Sequence, residues 1–401
     1  MVIAIGLNSG SSFDGVDVVA IEIGLADDGN PSVPKFLGGR SYDWPEAVAR
    51  DVLKAFDNTL TIFELCRLNY TAGAVYAQSA RAFMREFNLT SDDVAVIGYD
   101  GQTIYQEPAK FAELPKFADG EDVLGRWQDG PFPCGLQIGE PAVVAATCNV
   151  TTVTQFRPSD HALGGAGAPL MQYLDFVAFR GIGPVLTLNI GGIANCQFAQ
   201  ADRAKMMAFD TGPGNVMLDH ACKVFFGRSY DKNGEEAQKG SINQPLLDQL
   251  LSHDFFKRPV PRSAWRRDFG ADYADQILAE YNAVSPQDIL ATFTEFTAIS
   301  IASAIREHVV GLSEVKKVIA SGGGVQNGFL MQRLAVQLNA LELVKSDEYG
   351  IPAQFKEAVK FATLAYATVN NLANNIPAAG GASRFTILGK LVYPPSAAKV
   401  L

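Results

Sequence analysis

V-I-A-I-G-L-N-S-G-S-S-F-D-G-V-D-V-V-A-I-E-I-G (residues 2–24) holds two apolar runs, 2–7 and 16–24, around a polar loop of glycine and serine. Apolar runs separated by a short small-residue segment predict a β-hairpin. The same order of strand, glycine turn and strand returns at V-L-T-L-N-I-G-G-I-A-N-C-Q-F (185–198). A-F-D-T-G-P-G-N (208–215) and V-K-K-V-I-A-S-G-G-G (315–324) are further strands running into glycines. V-A-V-I-G (94–98) and T-T-V-T-Q-F (151–156) add strands in the first half. Helical spacing covers 46–89, where Leu53, Phe56, Leu60 and Phe63 recur every three or four residues. Segments 142–147, 285–310 and 353–374 also have helical spacing, and the Pro-, Gly- and charge-rich stretch 106–134 reads as a long surface loop. One supersecondary unit thus begins near residue 2 and again near 185, as a structural echo without sequence repetition. The expectation is an α/β protein of two mixed domains facing each other across a cleft.

Composition narrows the function. The 401 residues are 48% hydrophobic and 19% charged, enough apolar material for two cores. A formal net charge of -10 argues against nucleic-acid binding, which needs a basic surface. The five cysteines, Cys66, Cys134, Cys148, Cys196 and Cys222, are widely spaced and form no C-x-x-C pair. Free thiols in a reducing cytoplasm are expected, with no disulfide framework. The N-terminus lacks the basic and apolar regions of a signal peptide, and no uninterrupted apolar stretch reaches the ~20 residues of a membrane span. His161, His220, His253 and His308 show no metal-ligand spacing.

Five segments carry small residues at strand ends: 6–15, 98–103, 191–195, 210–215 and 321–327. Glycine lets backbone N–H groups approach an anionic oxygen and adopt positive φ, while Ser, Thr and Asn add neutral donors. Such loops can surround a polyphosphate without basic residues. Asp14, Asp17 and Asp210 stand in or beside them, and carboxylates beside phosphates imply an intervening Mg²⁺, with Asp17 the candidate ligand. Taken singly, each loop is more often a turn than a phosphate site, and neither a Walker A nor a G-x-G-x-x-G pattern occurs. The weight lies in five loops arranged in a two-domain pattern.

These residues also carry a resemblance. G-L-N-S-G-S-S-F-D-G-V-D (6–17), L-Q-I-G-E-P-A (136–142), F-R-P-S-D-H-A-L-G-G-A-G-A-P-L (156–170) and L-N-I-G-G-I-A-N (188–195) resemble, in order, segments of the anhydro-N-acetylmuramic acid kinases, a family that includes the levoglucosan kinases. D-T-G-P-G-N (210–215), Y-D-K-N-G (230–234), S-G-G-G-V-Q-N (321–327), G-I-P-A-Q-F-K-E-A (350–358) and G-A-S-R (381–384) continue it across the chain. The resemblance implies two ribonuclease H-like domains, as in actin, hexokinase and the heat-shock ATPases, with ATP in the cleft. Domain I would span 1–162 plus 376–401 and domain II 183–350, with connecting helices at 163–182 and 351–375. It implies that Gly10, Ser11, Ser12 and Asp14 form the first phosphate loop and Gly191, Gly192 and Asn195 the second. Gly322, Gly323 and Asn327 would lie at the adenosine end, and Asp210, Gly212 and Gly214 would face the phosphates or the sugar.

The implied reaction explains the need for a carboxylate. In a 1,6-anhydro sugar the 6-oxygen is tied to the anomeric carbon, so no hydroxyl proton is available there. Water must attack the anomeric carbon while the 6-oxygen leaves and takes the γ-phosphoryl group. The family's base falls on Asp160, worth a factor of roughly 10²–10⁴ as a general base. As an isolated residue Asp160 reads as the cap of a helix starting near 161. Asp100, Gln102, Arg157, Trp265 and Glu357 are the expected sugar-binding residues. Several positions depart from the family pattern on the sugar side: Tyr99 and Asp100 replace Ser-His, Gln155 replaces Asp, and the common S-T-G-R-E segment reads S-A-W-R-R, with Ala264, Trp265, Arg266 and Arg267. They bear on which sugar fits, with anhydro-N-acetylmuramic acid expected first and levoglucosan second. A kinase of a sugar with a free hydroxyl and a nucleotide-dependent sugar sensor are the other readings. A small-molecule sugar is the expected partner, with no nucleic acid or membrane, and a homodimer is a candidate assembly.

Overall fold

A computed structural model describes residues 1–10, 15–107, 123–128, 132–264, 266–309 and 311–397. It divides into two units, Met1–Ala178 with Phe355–Leu401, and Phe179–Gln354. Much of the proposed loop 106–134, the phosphate-loop residues Ser11, Ser12 and Asp14, and Trp265 lie outside the described residues.

In the first unit, β1 (Val2–Asn8), β2 (Val16–Ile23) and β3 (Lys35–Tyr42) form an antiparallel meander. β4 (Val94–Gly98) pairs parallel to β1, and a separate two-stranded sheet joins β5 (Gln102–Gln106) to β6 (Gly135–Ile138). β7 (Thr152–Thr154) lies parallel beside β4 and is flanked by a last antiparallel strand, Lys390–Val392. The spatial order is Lys390–Val392, β7, β4, β1, β2, β3. In the second unit β8 (Val185–Ile190), β9 (Ile193–Ala199), β10 (Met207–Pro213), β11 (Lys317–Ser321) and β12 (Glu342–Lys345) take the order β10-β9-β8-β11-β12. Both sheets are thus an antiparallel meander whose first strand is extended by parallel strands. This is the ribonuclease H-like arrangement, built twice.

Strand alternation shapes the first unit's two faces. Ile5, Leu7, Val16 and Val18 point into a core with Tyr76, Ala80 and Phe83 of the helix Ile62–Glu86. The opposite face carries Gly6 and Gly98, on which the helix Lys356–Val369 packs. A Cβ on Gly6 would lie 2.0 Å from the Ala358 carbonyl oxygen, and one on Gly98 2.3 Å from that of Phe361. Glycine at these two places fixes the helix by direct backbone approach. A buried ion pair, Lys356 Nζ to Asp175 at 2.7 Å, ties its first turn to the helix Met171–Phe179.

The apolar stripe expected over 46–89 is corrected. The segment is two helices, Glu46–Phe56 and Ile62–Glu86, separated by a turn with Asn58 at φ 54°. Thr61 and Glu64 form a capping box that restarts the second helix, so the periodicity is reset. Leu53 and Phe63 are consequently exposed, while Val52, Ala55 and Leu68 are buried. In the second unit, the helix Pro286–His308 is long and apolar enough to cross a bilayer by composition, yet most of it is buried inside that unit. All five cysteines are free thiols.

Close approach at Gly98 yields a stability prediction. Gly98→Ala is expected to lower unfolding free energy by about 2–3 kcal/mol through overpacking. Gly181→Ala, where an added Cβ meets nothing within 4 Å, should change it by less than about 0.5 kcal/mol. Urea unfolding midpoints of the two variants provide the comparison.

Candidate functional site

Because β1, β4 and β7 run parallel, the segments leaving their carboxyl ends emerge on one edge of the first unit's sheet, where ligands of α/β sheets are commonly bound. Ser9 and Gly10 follow β1, with Gly10 at φ 62°. Gln102, fully buried, holds this segment: its Oε1 accepts from the Ser9 hydroxyl at 2.7 Å and its Nε2 donates to the Gly10 carbonyl at 3.5 Å. Ser9 Oγ also lies 2.7 Å from the Tyr76 hydroxyl. Gln102, expected among the sugar-binding residues, is therefore engaged in shaping the first glycine loop.

Asp100 follows β4 and is buried. Its Oδ1 accepts the Phe156 backbone N–H at 3.0 Å, and its Oδ2 accepts Arg157 Nε at 2.6 Å. Arg157 Nη1 donates to the Gly167 carbonyl at 3.2 Å. Gly167 in turn donates its N–H to Asp160 Oδ2 at 2.9 Å. Hydrogen bonds thus run without a break from Asp100 through Arg157 and Gly167 to Asp160.

Asp160 does not cap a helix at 161. It lies in the short helix Arg157–His161, whose N-cap position is Phe156, and its side chain is buried against its own following loop. The Gly165 N–H bonds back to the Asp160 carbonyl at 2.9 Å, and a Cβ on Gly165 would fall 2.2 Å from Asp160 Oδ2. Gly164 and Gly167, at φ 79° and 65°, let the loop wrap this tightly. Asn375 Nδ2 reaches Asp160 Oδ1 at 3.4 Å. Burial pushes the Asp160 carboxyl up to about 6, against the lowering influence of the Gly167 N–H and Asn375. His161 braces the same loop, its Nδ1 lying 3.2 Å from the Gly165 carbonyl, and burial lowers its pKa. Neither Asn375 nor His161 was assigned a role from sequence. His161 sits within a quoted motif, but Asn375 has no local signal and meets Asp160 only through the fold.

The second unit also gathers its glycine turns on one sheet edge. β8, β10 and β11 end there at Ile190, Pro213 and Ser321. The turns after β8 and β10 interlock: Gly214 N–H donates to the Gly192 carbonyl and Asn215 N–H to the Gly191 carbonyl, both at 2.8 Å. A Cβ on Gly214 would lie 2.2 Å from the Gly191 oxygen, so glycine is required for the crossing. Gly212 sits at a break in β10–β9 pairing, and Asn195 Oδ1 accepts from Gln197 at 2.6 Å. Asp210 Oδ2 accepts the Ala264 N–H at 2.7 Å, and burial raises its carboxyl to about 7. After β11, Gly322 turns at φ 84° and Gly323 faces open space. Asn327 caps the helix Gly328–Gln337, accepting the Leu330 N–H at 3.1 Å.

Two expected residues are less engaged. Glu357 is partly exposed in the first turn of the helix Lys356–Val369. Asp17 lies on β2 opposite Asn8, and its carboxylate accepts the Ser41 hydroxyl. Among the described residues, no three His, Cys, Asp or Glu side chains cluster as a metal site.

Comparison with known proteins agrees along almost the whole chain. A family model described as anhydro-N-acetylmuramic acid kinase matches residues 2–116 and 118–394. A protein of that name from Francisella tularensis subsp. novicida is 35% identical, covering 97% of this chain and 98% of its own. Another from Caldanaerobacter subterraneus subsp. tengcongensis is 34% identical over 97% and 96%. Among solved structures, component A of the (R)-2-hydroxyglutaryl-CoA dehydratase of Acidaminococcus fermentans aligns over 92% of this chain and 100% of its own with a TM-score of 0.43 at 12% identity, too loose a likeness to bear on function.

The Asp100–Arg157 pair is open to direct test. Asp100→Ala strands a guanidinium and a backbone N–H, and is expected to destabilise by about 3 kcal/mol, as for other pairs broken on one side. The Asp100→Ala/Arg157→Ala double variant should lose less than the sum of the singles, measured as a coupling energy by urea unfolding.

Proposed function

The chain belongs to the anhydro-N-acetylmuramic acid kinase family, and on that premise we propose that it uses ATP to phosphorylate the 6-oxygen of 1,6-anhydro-N-acetylmuramic acid while water opens the anhydro bridge. The product is N-acetylmuramic acid 6-phosphate. The single observation that carries the mechanism is Asp160: a buried carboxylate, held by two donors, with its pKa raised to about 6. A base with a pKa near the working pH is half-prepared to take a proton yet mostly ionised at neutrality. Each of its oxygens has one assigned donor, which leaves lone pairs for the attacking water. As the C1–O6 bond breaks, O6 bonds to the γ-phosphorus of ATP while the bond from that phosphorus to the β,γ-bridging oxygen breaks and ADP leaves; the water oxygen bonds to C1, and the water proton passes to Asp160.

Gly10 with Ser11, Ser12 and Asp14 in the first unit, and Gly191, Gly192, Asn195, Asp210, Gly212, Gly214, Gly322, Gly323 and Asn327 in the second, are the proposed nucleotide-contacting residues. Backbone amides at the glycines suit an acidic protein that must hold phosphates without a basic cluster. Mg²⁺ is proposed to accompany the nucleotide. Such an ion would be held chiefly by phosphates and water, with Asp17 as the candidate carboxylate. When bound, the ion supplies neutralising charge to the transferring phosphoryl group. ATP use and five free thiols support a cytoplasmic location.

The names of the relatives favour the muramic acid sugar over levoglucosan. Sugar-dependent ADP release should accordingly be faster with anhydro-N-acetylmuramic acid than with levoglucosan, and sugar-independent nucleotide binding without turnover would overturn the reading. Asp160→Asn should lower kcat by roughly 10²–10⁴ while leaving ADP affinity, read by calorimetry, unchanged.

The pH profile gives a further check. The base must be ionised, so kcat/KM should fall tenfold per pH unit below about 6. Asn375→Ala removes a donor to the charged form and should shift this acid limb upward by about one unit, the size of a hydrogen bond to a charged group.

A further inference from the structure

Lys360 is a buried cation that the proposed mechanism leaves without a task. It is 7% exposed and lies on the helix Lys356–Val369 one turn beyond Glu357. Its backbone cannot shift easily, because the next residue's carbonyl oxygen lies 2.3 Å from where a Gly98 Cβ would be. Its ammonium lies 4.1 Å from the centroid of the Phe361 ring, which stacks at 5.8 Å on Phe156, the residue before Arg157. Among the described residues it makes neither a hydrogen bond nor an ion pair. Its charge is felt by Glu357, Arg157, Asp100 and Lys356, and burial lowers its pKa.

The other two cations of this neighbourhood are neutralised inside the unit. Lys356 meets Asp175 at 2.7 Å, and Arg157 meets Asp100 at 2.6 Å. Asp100 thus already serves Arg157 and the Phe156 N–H. A ring face attracts an ammonium but does not replace its lost hydration. The ammonium has a ring face beside it and feels the carboxylates of Glu357 and Asp100 without an ion pair to either among the described residues, while Arg157 and Lys356 repel it, so an added anion there would relieve both desolvation and like-charge repulsion.

We propose that Lys360, assisted by Arg157, receives the carboxylate of the sugar's lactyl group. This rests on the proposed function, since levoglucosan has no such carboxylate. Lys360 would then be the residue that selects a sugar acid over a neutral anhydro sugar.

The test compares two sugars and two variants by steady-state ADP release. Wild-type enzyme should show a KM about tenfold higher for the lactyl methyl ester of anhydro-N-acetylmuramic acid than for the free acid, as expected for loss of one charged hydrogen bond. Lys360→Met should raise KM for the acid about tenfold, leave kcat and the KM for ATP within about twofold, and abolish the preference over the ester. Lys360→Arg, which keeps the charge, should restore most of the preference. Equal losses for acid and ester in Lys360→Met would overturn the proposal and point to the transferred phosphoryl group as the anion. Equal wild-type KM values for acid and ester would overturn it without any variant. Failure of the wild type to phosphorylate either sugar would instead remove the proposed function itself.

Discussion

A buried carboxylate is useful as a base only if something other than water holds it in place, and in this protein the task falls to a line of hydrogen bonds anchored at Asp100. Removing a carboxylate from water raises its pKa and, without partners, leaves it free to adopt whichever rotamer buries it best. Asp100 binds the backbone at Phe156 and the guanidinium of Arg157 together, so it fixes both the start of the short helix and the side chain projecting from it. Arg157 holds the carbonyl of Gly167, and the N–H of the same glycine holds Asp160. One peptide segment thus transmits position from an ion pair to the carboxylate. The loop that does so has to pass within a Cβ's reach of Asp160 and His161, which is why Gly165 and Gly167 stand there.

This arrangement changes the meaning of the departures seen on the sugar side. Asp100 and Gln155 differ from the family pattern, and each was read as bearing on the sugar. In the structure Asp100 acts inward, on the frame of Asp160, and Gln155 turns at φ 50° and accepts from Lys390 at 2.7 Å. A carboxylate at 100 is therefore compatible with the family's chemistry, because its charge is neutralised within the unit by Arg157.

The hairpins, most strands and the glycine turns were legible in the sequence because each depends on local pattern: alternation, loop composition and small residues at strand ends. The resemblance then picked out Asp160. The apolar spacing of 46–89 misled because a capping box at Thr61 and Glu64 interrupts it, and hydrophobic periodicity cannot detect a change of phase between two short helices. The partners of Asp160 were not legible for a different reason. Asn375 lies 215 residues away and reaches Asp160 only after the chain returns to the first unit. Likewise Gln102 looks from sequence like any polar residue beside a glycine, and only its contacts with Ser9 and Gly10 reveal that it shapes a loop. Side-chain function at this site is set by long-range contact, whereas the fold is set by short-range pattern.

Charge follows the same division. The protein is acidic overall, yet Arg157, Lys356 and Lys360 lie close together in the first unit. Two of these cations have carboxylates that cement structural joints: Asp100 to the helix bearing Asp160, and Asp175 to the helix that packs on Gly6 and Gly98. Both joints would weaken if their cations were drawn to a ligand, so neither Arg157 nor Lys356 is free to serve an anion alone. The third cation, which makes no ion pair among the described residues, can do so without loosening the frame. Backbone amides at glycine turns suit phosphates, which several enzymes must bind and release alike, while a fixed side-chain charge suits the group that distinguishes one sugar from another.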